Sequence, residues 1–387
     1  MSAVSASPAA SGSGRGVRFD RVRALQHALY RAAKADPGQR FLANALRAWL
    51  IDGDVVSPSG AYHAWFDPIL GTGSFEYPEI TGYALTHLTG LNVATEEERT
   101  RTQRAADWLV QRWESGNRAA RDGWENGGVY YFDSAMVANG LLQVGEKLCR
   151  PDATRVGLEI VDMITNEVGS RGCLPPLPTG QHSSRHGWSV DGLAHMGKTL
   201  QCLHHAARVA PSKPLESVIE IVLAQTLAAQ KSDGRFVTEA ADEITMLHPH
   251  FYAVEGLWCH AQATGDPTAA EAAQAGTAWA WRHQLPSGGL PRFVVRASGE
   301  VSGIEQLDVI AQGVRAAVLT GTSHVAARRA GERLATLAVG RGSGRAGLPY
   351  QAASSEHHLN AWVTMFGSQA LTLLLHGAST LVWDSLV

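Results

Sequence analysis

The residues able to do chemistry in this 387-residue chain fall into six short clusters. They are Glu76, Tyr77 and Glu79; Tyr131 and Asp133; His186, Trp188 and Asp191; His248, His250, Tyr252 and Glu255; Glu305, Asp308 and Gln312; and His357, His358, Asn360 and Trp362. Carboxylates beside phenols suit general acid and base work. Several histidines in one cavity can hold a carboxylate as imidazolium or pass a proton near neutrality, and indoles suit stacking on a sugar ring. The candidate catalytic residues are Tyr77, Glu79, Asp133, Tyr252 and Glu255, with Tyr77, Glu79, Tyr252 and Glu255 as proton carriers. The candidate substrate contacts are Trp188, Asp191, His248, His250, Asp308, Gln312, His357, His358, Asn360 and Trp362, of which His250, His357 and Asn360 would hold a substrate carboxylate. A structural reading stands beside each: Glu79 and Asp133 can cap helices, and Trp188 and Trp362 can fill a core. His204, His205, Cys259 and His260 read as packing residues, and Arg292 and Arg315 either pair a substrate carboxylate or bridge neighbouring acids. Cys149, Cys173, Cys202 and Cys259 are scattered without metal-ligand spacing, so no metal or cofactor is expected.

Such clusters need elements that bring them together. Each leads into a small residue and an apolar helix, with Gly82, Gly140, Gly192, Gly256, Gly313 and Gly367 as reference points at spacings of 58, 52, 64, 57 and 54 residues. Longer amphipathic stretches lie between them, at 95–115, 152–168, 214–231, 268–285 and 325–339, and another spans about 22–51 before the first cluster. Asp152, Pro214 and Pro267 read as helix-start signals. Gly-rich reversals such as Asp233-Gly-Arg-Phe and Ser287-Gly-Gly-Leu-Pro follow most of the long helices. Outer helix then inner helix, six times over, predicts an all-α (α/α)6 toroid of six helical hairpins around a central cavity. Residues 1–18 read as a disordered leader and 19–387 as one toroid domain. Inner helices that run the same way aim six N-termini, each with about half a positive charge, at one mouth.

The pattern resembles the (α/α)6 toroid of squalene-cyclase and prenyltransferase repeat proteins, of glycan-acting lyases and hydrolases, and of D-glucuronyl C5-epimerases. The likeness covers about residues 20–376. More narrowly, Tyr77-Pro-Glu-Ile-Thr-Gly-Tyr83 with Phe132-Asp133, 250–257 and Asn360-Ala-Trp-Val-Thr-Met-Phe366 is similar to toroid proteins associated with bacterial polysaccharide loci. The resemblance implies a carbohydrate-active enzyme that abstracts the proton next to a uronate carboxylate, as a C5-epimerase or lyase does. The same residues admit a glycoside hydrolase with paired carboxylates, a terpene-cyclase-like enzyme, or a non-catalytic glycan-binding protein. The expected partner is a small-molecule or oligosaccharide substrate, anionic at the mouth. A net charge of -3 gives no reason to expect nucleic acid. No apolar run is long enough for a membrane span, and no secretory signal opens the chain, so a cytoplasmic location is expected.

Overall fold

The computed structural model describes residues 39–90, 95–116, 128–178, 187–353 and 357–387. The expected leader, the start of the first outer helix, His186 and most of the reversal at 122–128 lie outside them. Twelve helices of ten residues or more stand among the described residues. The outer ones are α1 (Gln39–Asp52), α3 (Glu96–Glu114), α5 (Pro151–Arg171), α7 (Lys213–Ala228), α9 (Pro267–Trp281) and α11 (His324–Leu337). The inner ones are α2 (Pro78–Gly90), α4 (Tyr131–Lys147), α6 (Leu200–Val209), α8 (Leu247–Thr264), α10 (Leu307–Thr320) and α12 (Ala361–His376). Each inner helix packs on the next, and α12 returns to α2, so the ring closes as an (α/α)6 toroid.

Local chemistry sets the helix ends. Thr95 and Glu98 form a reciprocal capping box on α3. Ser212 caps α7, and Asp266 caps α9 ahead of Pro267. Asp152, read from the sequence as a cap, sits inside α5 instead: Arg150 precedes Pro151 there and binds the Asp152 carboxylate at 2.9 and 2.6 Å. The reversals are held across neighbouring hairpins. Gln230 donates to the Ala272 carbonyl at 2.8 Å and Gln284 to the Ala326 carbonyl at 2.9 Å. Arg104, Arg282 and Arg329 likewise reach back to the carbonyls of Pro58, Asp233 and Pro286.

Two features depart from the sequence reading. Short strands decorate the mouth side: β1 (Trp65–Asp67), β2 (Thr72–Gly73), β5 (Val339–Gly342), β6 (Arg345–Pro349) and β7 (Leu359–Asn360) form one antiparallel sheet in the order β2-β1-β7-β6-β5, and β3 (Ile244–Met246) pairs with β4 (Phe293–Val295). The third inner element is also broken. A short turn at Trp188–Asp191 gives way at Gly192 to a 3-10 segment, Ala194–Thr199, that runs into α6. The glycine equivalent to the others is therefore Gly197, not Gly192. A Cβ on Gly140 would overlap the Gly82 carbonyl, and one on Gly256 would overlap the Gly197 carbonyl, so both pairs let inner helices touch backbone to backbone. With Gly197 in place the spacings become 58, 57, 59, 57 and 54 residues. The inner helices are buried nearly all round, as helices ringed by other helices must be.

Candidate functional site

The N-terminal ends of the inner helices surround a cavity of about 300 Å³. Its walls are Tyr77, Glu79 and Ile80 from the start of α2; Tyr130, Phe132 and Asp133 from α4; Trp188, Ser189 and His195 from the broken third element; His248 and Tyr252 from α8; Asp308 from α10; Tyr350 beyond β6; and Trp362 from α12. All six inner elements thus contribute.

Two pairs organise the polar groups. His248 Nδ1 lies 3.2 Å from Asp308 Oδ2, a charge contact without hydrogen-bond alignment. Asp308 Oδ1 accepts from the Val309 N–H at 2.8 Å, and the Trp362 indole N–H reaches the same carboxylate. Burial raises the Asp308 carboxyl above its ordinary range, opposed by His248 and these donors. Burial lowers His248, opposed by Asp308, by Glu255 and by the Gln312 side chain, whose amide oxygen favours the imidazolium as an acceptor, so the imidazole is neutral near pH 7. Across the cavity the Tyr77 hydroxyl donates to Asp133 Oδ2 at 3.1 Å.

Tyr252 stands between these pairs, its ring 4.4 Å from that of His248 and 4.7 Å from that of Phe132. Burial, then the nearby Glu79, holds its phenol well above the ordinary range, so it stays protonated. Tyr83 donates to the Tyr252 oxygen at 3.2 Å, which leaves the Tyr252 hydroxyl hydrogen to point elsewhere. Trp188 meets both His195 and His248 edge-on, with ring centroids 5.3 and 5.4 Å apart.

Of the sequence candidates, the cavity brings together Tyr77, Glu79, Asp133, Tyr252, Trp188, His248, Asp308 and Trp362. The others lie elsewhere. His250 points outward between α8 and α9, where Nδ1 accepts from the Phe236 N–H at 3.3 Å and Nε2 donates to the Gly276 carbonyl at 2.9 Å. Asn360 caps α12 by accepting from Val363 at 3.1 Å and pairs in β7. His358 stacks on Trp65 at 3.7 Å beside Asp67, and the half-buried His357 precedes it off the cavity wall. Asp191 is exposed and accepts from the Gly187 N–H. Gln312 and Glu255 are buried beneath the walls: Gln312 one turn below Asp308, Glu255 one turn below Tyr252 between Lys198 and Arg315. Of the wider clusters, Glu76 is bound by Ser57 and Ser59, Glu305 by Ser287 and Arg333, and Tyr131 by Glu167.

His195, Ser189, Tyr130 and Tyr350 line the cavity without having been singled out. For His195 a signal existed: the uneven spacings of 52 and 64 residues around Gly192 mark a misplaced register, and moving it to Gly197 draws His195 into the third cluster. Tyr350 closes the Gly-rich reversal Gly344-Arg-Ala-Gly-Leu-Pro-Tyr, whose Gly-Leu-Pro repeats that at Gly289, and its aromatic ring at the approach to the mouth was the signal available there.

The toroid has many structural counterparts. Over 89% of this chain and 97% of the other, it superposes on the unsaturated glucuronyl hydrolase from Bacillus sp. GL1 with TM-score 0.66 and 13% identity. A D-mannose isomerase matches over 87% and 97% of the two chains with TM-score 0.68 and 11% identity. The cellobiose 2-epimerase from Bacillus thermoamylovorans B4167 matches over 84% and 98% with TM-score 0.64 and 11% identity. No protein-family model matches the chain, and no curated protein sequence does so at significance. At these identities the likeness establishes the fold.

Proposed function

We propose that this protein is a carbohydrate-active enzyme that moves a proton on a small saccharide, in the manner of an epimerase or isomerase. One observation carries the reading. A neutral imidazole with a carboxylate at Nδ1, His248 with Asp308, faces a permanently protonated phenol, Tyr252, inside a cavity walled by indoles. The Asp308 carboxylate 3.2 Å from Nδ1 favours the tautomer that carries its proton there, so Nε2 is the basic atom that takes a proton from carbon, and Asp308 stabilises the imidazolium so formed. Tyr252 donates to the oxygen where negative charge develops, and Glu79 beside it serves as the second proton carrier. Trp188 and Trp362 offer apolar faces for a sugar ring, and about 300 Å³ suits a ligand of one or two rings.

The substrate favoured by the wall is neutral. Among the described residues three carboxylates, Glu79, Asp133 and Asp308, line the cavity and no lysine or arginine does. A uronate carboxylate would meet like charge there, offset only by helix N-termini, so the anionic expectation gives way to an uncharged saccharide. The sugar-acting enzymes named above, an epimerase and an isomerase among them, share the fold and agree with this class. The three carboxylates also favour one second reading, a glycoside hydrolase, with the Tyr77–Asp133 pair as its acid. One experiment separates the two. The protein is incubated in deuterated water with neutral and uronate-ended mono- and disaccharides, and label at ring carbons and new reducing ends are both followed. Carbon-bound deuterium, lost in His248→Ala, is expected; new reducing ends without exchange would establish the hydrolase instead.

A further inference from the structure

The end of the ring opposite the cavity is closed by the chain itself. After α12 the backbone turns at Gly377 (φ 79°), passes through exposed Ser379, Thr380 and Val382, and then enters the ring, where Asp384, Ser385, Leu386 and Val387 are buried. There the backbone of this segment is read by side chains. Asn139 of α4 donates to the Asp384 carbonyl at 3.0 Å, and Gln201 of α6 donates to those of Trp383 and Leu386 at 3.1 and 2.8 Å. Lys198 donates to the Leu386 carbonyl at 3.1 Å, Gln369 of α12 to that of Ser385 at 2.8 Å, and Arg315 of α10 to that of Val387. Gln369 also accepts from the Val387 N–H at 3.2 Å. Arg208 clamps the Asp384 carboxylate at 2.7 Å. The Ser385 and Leu386 N–H groups pair within the segment, with the Val382 and Trp383 carbonyls at 2.9 and 3.4 Å, while among the described residues its backbone is tied to the ring by side chains of the inner elements. Such a backbone, held by side chains and not by the backbone of its surroundings, is met in the way a bound peptide is.

We propose that the base of the toroid is a peptide-binding site, occupied here by the chain's own residues Trp383–Val387, and that its occupancy holds the layer on which the cavity rests. The register of the ring ties the two. Lys198 follows His195 by three residues, Glu255 follows Tyr252 by three and Arg315 follows Gln312 by three, so each base residue lies one turn beneath a residue in or beside the cavity wall. Glu255 joins them, with Oε2 3.1 Å from Lys198 Nζ and Oε1 bound by Arg315. Withdrawing the segment strips a carbonyl acceptor from each of these two buried cations and leaves both on one carboxylate. The peptide chemistry that fits is an acidic residue, a hydroxyl residue and two aliphatic residues in succession.

The test uses the folded full chain. A protease site is placed between the exposed Ser379 and Thr380, the purified protein is cut, and the severed segment is washed out. The base is then titrated with a dye-labelled peptide of residues 381–387, while hydrogen exchange is followed in α8 and α10. Saturable one-to-one binding is expected, weakened at least about tenfold by Leu386→Asp in the peptide, the cost of burying an unpaired carboxylate. Exchange in α8 around Tyr252 should quicken in the empty protein and slow when peptide is added. Should the cut protein bind a reversed-sequence peptide equally well, or shed the segment with no change in α8, the proposal is overturned. In the intact chain Gln201→Ala should raise cleavage at 380–383, and an unchanged cleavage rate counts against it. These measurements read the base alone, independently of the reaction proposed for the cavity.

Discussion

Replacing Asp308 by Asn tests the central pair most directly. The amide keeps the size of the carboxyl and an oxygen for the Val309 N–H, so the start of α10 is preserved, while the charge 3.2 Å from His248 Nδ1 is removed. A bare Coulomb attraction at that distance, with an effective dielectric constant of about 20, is about 5 kcal/mol and serves as an upper bound. Glu255 and Gln312 also support the imidazolium, so the realised effect should fall in the range of one to three pKa units usual for an opposite charge this close. That range is about 1.4–4 kcal/mol. The sign follows from the physics: burial already lowers His248, Asp308 opposes that lowering, and its loss lowers His248 further. In Asp308→Asn the His248 midpoint, read by 15N-edited NMR of histidine-labelled protein, should therefore drop by about one to three units. Imidazolium formed in the transition state loses the same stabilisation, so proton exchange on substrate should slow by about 10- to 10³-fold. A midpoint that stays in place or climbs would show that the carboxylate is not the counter-ion, and the base assignment would fall with it.

Further expectations concern stability and the site. His250 is held near pKa 4 by burial against an ordinary 6.5, so the unfolded chain binds more protons between those values and stability falls as pH drops through that window. A loss of about 3 kcal/mol by pH 4 from this group alone should appear in urea denaturation series, and His250→Gln should flatten the fall. Gly256→Ala pushes a methyl into the Gly197 carbonyl; a loss of about 3 kcal/mol or more is expected, and a stability within 1 kcal/mol of the parent would contradict the backbone-to-backbone packing. Glu255→Gln leaves Lys198 and Arg315 buried without a carboxylate and should cost about 3–5 kcal/mol in the same denaturation assay. Tyr252→Phe, by contrast, should fold normally and lose exchange activity by about 10²-fold or more, measured at saturating substrate.

The sequence carried the architecture because the architecture is periodic. A unit of fifty-odd residues, apolar faces on the outer helices and Gly-rich reversals are local properties that survive in one dimension. The mouth of the cavity was legible for the same reason: residues leading into inner helices share one end of the ring, which placed Glu79, Asp133, Trp188, His248, Asp308 and Trp362 in the right layer. The register slip at Gly192 hid His195, since a broken helix disturbs the count on which that reading depends.

What the sequence left open is direction. His248 and His250 are two residues apart on α8, about 200° around the helix at 3.6 residues per turn; one faces the cavity and the other the outer ring. On an amphipathic helix the polar stripe would tell them apart, but α8 is buried all round, so no stripe exists and only packing assigns each side chain its neighbour. Depth escaped in the same way: Tyr252 and Glu255 share a face, yet one turn, about 5 Å, divides the cavity wall from the ionic layer below it. The sequence by itself determined the ring, its handful of repeated parts and the end at which its polar residues gather. Which of them meet, Asp308 with His248 across 60 residues and Val387 with Arg315 across 72, was decided by closure of the ring, because contacts between distant segments leave no periodic trace along the chain.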